Sequence, residues 1–162
     1  MSDKEPTSNT RATAGGNDTG GRGPAVLIAY GSQTGCAQSI ASQLCADVRA
    51  FFGLASSKIE LSELNQWAKR LDEFAKIPYV IILCSTTGAG DPPDNADRFW
   101  RAIRKRTVAP NIFEGLQFAV LALGDTNYDK FCQAGKRINK RLKVCCLLLV
   151  CFFHDTVHTK LD

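Results

Sequence analysis

A doubly wound α/β fold built on a parallel sheet is the class this sequence predicts, on three observations. Short apolar runs recur without polar alternation at Val26–Tyr30, Tyr79–Cys84 and Phe118–Leu123, as strands covered on both faces do. Amphipathic stretches of helical period lie between them. Each run is followed by a polar loop rich in Gly, Ser, Thr or Asp, and in such sheets ligands sit beyond the carboxyl ends of the strands. At 162 residues and 44% hydrophobic content, the chain has enough apolar material for the core of one soluble domain.

The residues before the first run, Met1 to Pro24, hold Gly15-Gly16, Gly20-Gly21 and Gly23 among Ser, Thr and Asn. They read as a disordered leader, with neither the apolar stretch of a secretory signal nor the acid-poor composition of a transit peptide. After the first run comes Gly31-Ser32-Gln33-Thr34-Gly35-Cys36. Its glycines let the main chain turn tightly, its hydroxyls donate, and a helix amino terminus beyond it offers unpaired N–H groups and partial positive charge to an anion. A triphosphate loop would end in Gly-Lys-Ser/Thr and a dinucleotide loop would show G-x-G-x-x-G, and neither is present. Donors without a cation suit one terminal phosphate, such as that of flavin mononucleotide. An ordinary strand-to-helix turn rich in the same residues accounts for this loop equally well.

Ile40, Leu44, Val48 and Phe51 fall at helical spacing, predicting a helix from about Ala37 to Phe52 stopped by Gly53. Lys58–Leu64 alternates, as a strand near a sheet edge does, and Asn65 is placed to cap a short helix carrying Trp67, Leu71 and Phe74. The second apolar run should be a central strand. Ser85 to Pro93 forms the second loop, and Asp94 is the expected N-cap of a helix through Phe99, Trp100 and Ile103. Its basic end, Arg101, Arg104, Lys105 and Arg106, reads as a solvated terminus favoured by the helix dipole. The third loop, Gly124 to Phe131, precedes a helix from about Cys132 to Leu142.

Charge and cysteine usage exclude several classes. The formal charge of +4 includes no Lys/Arg-rich arm, so no nucleic-acid partner is expected. The ten apolar residues from Val144 to Phe153 are too few to span a bilayer, so no membrane partner is expected either. Seven cysteines without C-x-x-C spacing and without a secretory signal fit reduced thiols in a cytoplasmic protein. His154 and His158 lie at helical spacing in the tail and are read as exposed histidines rather than a metal pair.

The motifs GSQTG, STTGAGDPPDN and LALGDTNYDKF, in that order over Ala25 to Leu142, resemble the FMN-binding, flavodoxin-like domain of the diflavin reductases. Within that group STTGAGDPP and FCQAGKRINKRL look most like the methionine synthase reductase branch. GSQTG and DPPDNADRFWRAI are also similar to the branch that feeds cytosolic iron-sulfur assembly. The resemblance implies that Ser32, Gln33, Thr34, Gly35, Cys36 and Ala37 hold the FMN phosphate, and that Ser85, Thr86, Thr87 and Gly88 pass along the isoalloxazine edge. In the family the carbonyl of the glycine matching Gly88 can turn toward flavin N5. Tyr128 would stack on one ring face, with Leu123, Gly124, Asp125, Thr126, Asn127, Asp129, Lys130, Phe131 and Cys132 completing the third loop. Cys36 and Cys132 stand where many relatives have Thr and Asn, and packing or loop roles are expected of both.

By the same resemblance NADPH reduces FAD, FAD reduces FMN, and FMN delivers electrons to the cobalamin of methionine synthase. FAD and NADPH belong to a reductase domain absent from this chain, so the chain alone is expected to carry electrons without oxidising NADPH. No metal and no catalytic side chain is implied. After Leu142 the family continues with a fifth strand and a last helix, whereas here an atypical apolar tail, residues 143–162, follows. The expectation is a truncated product whose tail forms at most that fifth strand, with the final strand and helix altered or missing. A non-redox interaction module that keeps the fold without a working flavin site is the alternative of another class.

Overall fold

The computed structural model describes residues 23–145. Most of the leader and most of the tail, with Cys146, Cys151, His154 and His158, lie outside the described residues. Four parallel strands, β1 (Val26–Gly31), β2 (Ile59–Glu63), β3 (Tyr79–Ser85) and β4 (Gln117–Leu123), make one sheet in the order β2-β1-β3-β4. The chain runs outward from β1 to β2, then crosses back over β1 to β3 and on to β4. The reversal therefore lies between β1 and β3, whose Gly31 and Cys84 are register partners.

Helix α1 (Cys36–Phe52) covers one face, while α3 (Asp94–Ile103) and α4 (Gln133–Cys145) cover the other. Gly53, at φ 59°, ends α1 in the left-handed conformation, its N–H donating to Arg49 O. The stripe of α1 that meets the sheet is Ala37, Ala41 and Cys45. Ile40, Leu44 and Val48 pack on its flank only partly buried, and Phe51 is 83% exposed, contrary to the expected apolar stripe. Small residues at the contact let the helix axis approach the sheet, which pushes the larger ones to the sides.

The larger core lies under α3 and α4, where Phe74, Phe99 and Phe113 are fully buried and Phe74 packs 5.1 Å from Phe99, centroid to centroid. Burying each such ring contributes roughly 1.5–3 kcal/mol. This cluster explains a second departure. Instead of one short helix after β2, a 3-10 turn (Leu64–Trp67) and a single α turn, α2 (Leu71–Phe74), re-aim the chain so that Trp67 and Phe74 both reach the core. Asn65 caps neither piece. Its amide donates to Asp94 O at 2.6 Å and its carbonyl accepts from Phe99 N at 3.1 Å, so it braces α3 from across the fold.

Asp94 is the first helical residue of α3 rather than its cap, which is Pro93 with no side-chain bond. It adds favourable charge at the dipole's positive end. Helix α4 starts one residue later than expected and runs to Cys145, past the expected end at Leu142. β4 was expected to be buried on both faces, yet Ala119 to Ala122 are only half-buried. Among the described residues β4 is an edge strand, and no described helix covers its side of the α1 face. An apolar groove of about 580 Å³ remains there, lined by Val26, Val48, Phe52, Leu54, Tyr79 and Ile81 among others.

Candidate functional site

The first loop leaves β1 where α3 crosses above it: a Cβ on Gly31 would lie 2.6 Å from Ala96 Cβ, so only glycine fits the crossing. Gly35, at φ 91°, is the N-cap of α1, with no side-chain bond to the helix and no acidic residue in its first turn. The first N–H groups of a helix have no intrahelical acceptors, so those of Cys36 and Ala37 face the loop uncapped. Ala37 is fully buried, which leaves its main chain as its part in any site. Gln33 and Thr34 are exposed, and Gln33 Oε1 accepts from Asp94 N at 3.4 Å. Ser32 donates its main-chain N–H to Asn95 Oδ1 at 2.9 Å. Its hydroxyl is buried and, among the described residues, is the one buried side-chain polar atom without a hydrogen-bond partner. Leaving such a group unpaired costs about 1–3 kcal/mol, which an arriving anion would remove.

The second loop is tied to both neighbouring strand ends. Ser85 Oγ donates to Gly31 O at 3.3 Å and Thr86 N donates to Leu123 O at 3.1 Å. Thr86 Oγ1 also accepts from Ala134 N of α4 at 3.3 Å. Thr87 turns back on Asp91, its N–H donating to Asp91 O at 2.9 Å and its hydroxyl to the same oxygen at 3.2 Å. That closure pushes Gly88 outward at φ 46°, exposed, with open space where a Cβ would stand.

The third loop opens at Gly124, where a Cβ would meet Cys132 N at 2.8 Å. Asp125 Oδ1 accepts from Asn127 N at 2.8 Å, and Phe131 N donates to Tyr128 O at 3.0 Å, so the loop is a pair of local turns. Thr126, Asp129 and Lys130 are exposed, and so is Tyr128, at 66%. Cys132 closes the loop in the left-handed region at φ 55°, its thiol donating to Ala122 O at 3.2 Å. Burial pushes the Cys132 thiol up from its ordinary pKa, with Lys136 pulling the other way, and burial pushes Cys84 beneath the rim up to about 12. Neither is a thiolate at neutral pH.

The second and third loops enclose a cavity of about 270 Å³ between Thr86, Gly88, Gly124, Asp125, Tyr128, Lys130, Phe131 and Cys132. Ser32 to Ala37 do not line it but lie beside it, joined through the Ser85 bond to Gly31. Thr87, Thr126, Asn127 and Asp129 stay outside the cavity wall. The arrangement sets the uncapped amino terminus of α1 beside an open cavity. Glu63 and Asn95, which tie β2 and α3 to this rim, carry no local sequence signal and were not singled out from the sequence, and Asn65, expected only as a local cap, braces α3 instead.

Comparison with known proteins gives matches to diflavin reductases and flavodoxins. The flavodoxin family model matches residues 28–145. The chain is 37% identical over 135 residues to NADPH-dependent diflavin oxidoreductase 1 of Xenopus laevis, covering 82% of this chain and 22% of that protein. It is 35% identical over 132 residues to human methionine synthase reductase, covering 82% and 18%. Among solved structures, flavodoxin 2 of Bacillus cereus superposes with a TM-score of 0.60 at 27% identity, over 77% of this chain and 79% of that one. The chain thus spans about a fifth of the length of these curated relatives, at nearly equal identity to two different diflavin reductases.

Proposed function

This chain belongs to the flavodoxin family, and on that premise we propose that it relays single electrons through FMN held at the rim between β1, β3 and β4. The observation that carries the reading is the buried, unpartnered Ser32 hydroxyl beside the uncapped terminus of α1 at the sheet's reversal point. The residues present fit the cofactor of the family, FMN. Ser32, Thr34 and the main chain from Gln33 to Ala37 hold the phosphate without a basic side chain, each charge-assisted bond contributing about 1.5–3 kcal/mol. Thr86, Gly88 and Gly124 offer main chain to the ring edge, and exposed Tyr128 offers a ring to stack on it. FMN when bound supplies one-electron chemistry, and the protein's part is to bind, orient and electronically tune it.

At the finer level the chain acts as the FMN domain of a cytoplasmic NADPH-dependent diflavin reductase, fed by a separate FAD- and NADPH-binding domain. The STTGAGDPP and FCQAGKRINKRL motifs support methionine synthase as the acceptor, with cobalamin as the group reduced. A second acceptor, the cytosolic iron-sulfur assembly system, is supported by GSQTG and DPPDNADRFWRAI. Two measurements test the reading. Titrating the purified chain into FMN should quench flavin fluorescence to a saturable endpoint, and no binding refutes the electron-relay role. Mixing the chemically reduced, FMN-loaded chain with methionine synthase or with an iron-sulfur acceptor should show rapid flavin reoxidation by one of them, which decides the branch.

A further inference from the structure

We propose that Asn95 is the positioning residue of the phosphate turn, acting through a relay that runs from Glu63 of β2 to the backbone of Ser32. The inference rests on the FMN reading above and deepens it. Asn95, in the first turn of α3, lies 63 residues along the chain from Ser32, yet its Oδ1 accepts Ser32 N–H at 2.9 Å. Its Nδ2 donates to Glu63 Oε1 at 3.2 Å. The two partners fix the chemistry of the bridging group. A main-chain N–H can only donate and a carboxylate can only accept, so the bridge must present one acceptor and one donor, as a carboxamide does. Both ends are anchored: Glu63 is the last residue of β2, and Asn95 sits on a helix braced by Asn65.

The consequence falls on the serine. With its N–H committed to Asn95, Ser32 presents to an anion its remaining donor, the buried hydroxyl that has no partner among the described residues. The second clasp, Asp94 N–H to Gln33 Oε1, holds the next residue of the turn against the same helix end. Asn95 lines no part of the ring cavity, so its effect is confined to the phosphate end.

The test compares FMN with riboflavin, which lacks the phosphate, as ligands of the full chain. Asn95→Asp keeps an oxygen toward Ser32 but sets two carboxylates against each other, and Asn95→Ala removes the bridge without adding charge. Both should weaken FMN about ten-fold, the equivalent of one charge-assisted hydrogen bond, while riboflavin affinity changes less than about two-fold. The double variant Asn95→Asp with Glu63→Gln exchanges donor and acceptor at constant net charge, and it should restore FMN affinity to within about three-fold of wild type. Thermal melts verify that each variant is folded, and Asn95→Ala carries the test should Asn95→Asp not fold. Single variants that keep the wild-type preference for FMN, that lose both ligands equally, or that the double exchange does not rescue overturn the role of Asn95. Wild-type chain that binds FMN no tighter than riboflavin overturns the phosphate-site reading instead.

Discussion

Replacing Gly135 by Ala sets two opposing effects against each other. In the first turn of α4, where Gly135 is the third residue, an alanine would ordinarily stabilise by up to about 1 kcal/mol through helix propensity. Gly135, however, faces the sheet, and a Cβ there would stand 2.9 Å from Ala122 Cα and closer still to Ala122 Cβ. Non-bonded carbons settle at about 3.5–4 Å, so α4 would have to lift off β4 by about an ångström. Neither obstructing atom belongs to a side chain that could swing aside. Overpacking of this kind costs about 1–3 kcal/mol and more where backbone must move, so the close approach wins and Gly135→Ala should destabilise by about 1–2 kcal/mol net. For a chain of this size that is a fall in Tm of about 2–8 °C, read by circular dichroism melts without ligand. The neighbouring Ala134 N–H bonds Thr86 Oγ1, so the same lift should loosen the second loop and lower FMN affinity in parallel. A Gly135→Ala variant that melts at or above the wild-type temperature would show that α4 and β4 are not in the contact described, and that propensity alone governs the position.

Two further outcomes follow from exposure and burial. Tyr128 is 66% exposed, so Tyr128→Ala should leave stability within about 0.5 kcal/mol while FMN affinity falls about two- to ten-fold from lost stacking; unchanged affinity would remove the aromatic from the site. Burial raises the Cys84 thiol from 9.0 to about 12, so the folded state holds its proton more tightly than the unfolded state. Its contribution is complete below pH 9 and is lost as pH rises from there toward 12, a loss on the order of 1–3 kcal/mol by pH 10 to 11. Wild-type stability in urea should therefore decline more steeply above pH 9 than that of Cys84→Ala, and parallel profiles would contradict the burial of this thiol.

Sequence alone determined the succession of elements, because β and α periods are written in residues two to four apart: Val26–Gly31, Tyr79–Ser85 and Gln117–Leu123 are strands and the amphipathic runs between them are largely helices. It also located the three loops, since Gly, Ser, Thr and Asp mark turns by their own stereochemistry. What it could not determine was which distant residues meet. The order β2-β1-β3-β4, which sets the ends of β1 and β3 side by side, is a property of strand pairing across dozens of residues. Asn65 bracing α3 instead of capping its own segment, the left-handed Cys132, and the bridge from Glu63 through Asn95 to Ser32 arise only once those strands are paired. Local periodicity records the face a residue presents; the partner it finds there is chosen by packing, which minimises unpaired polar groups over the whole molecule at once.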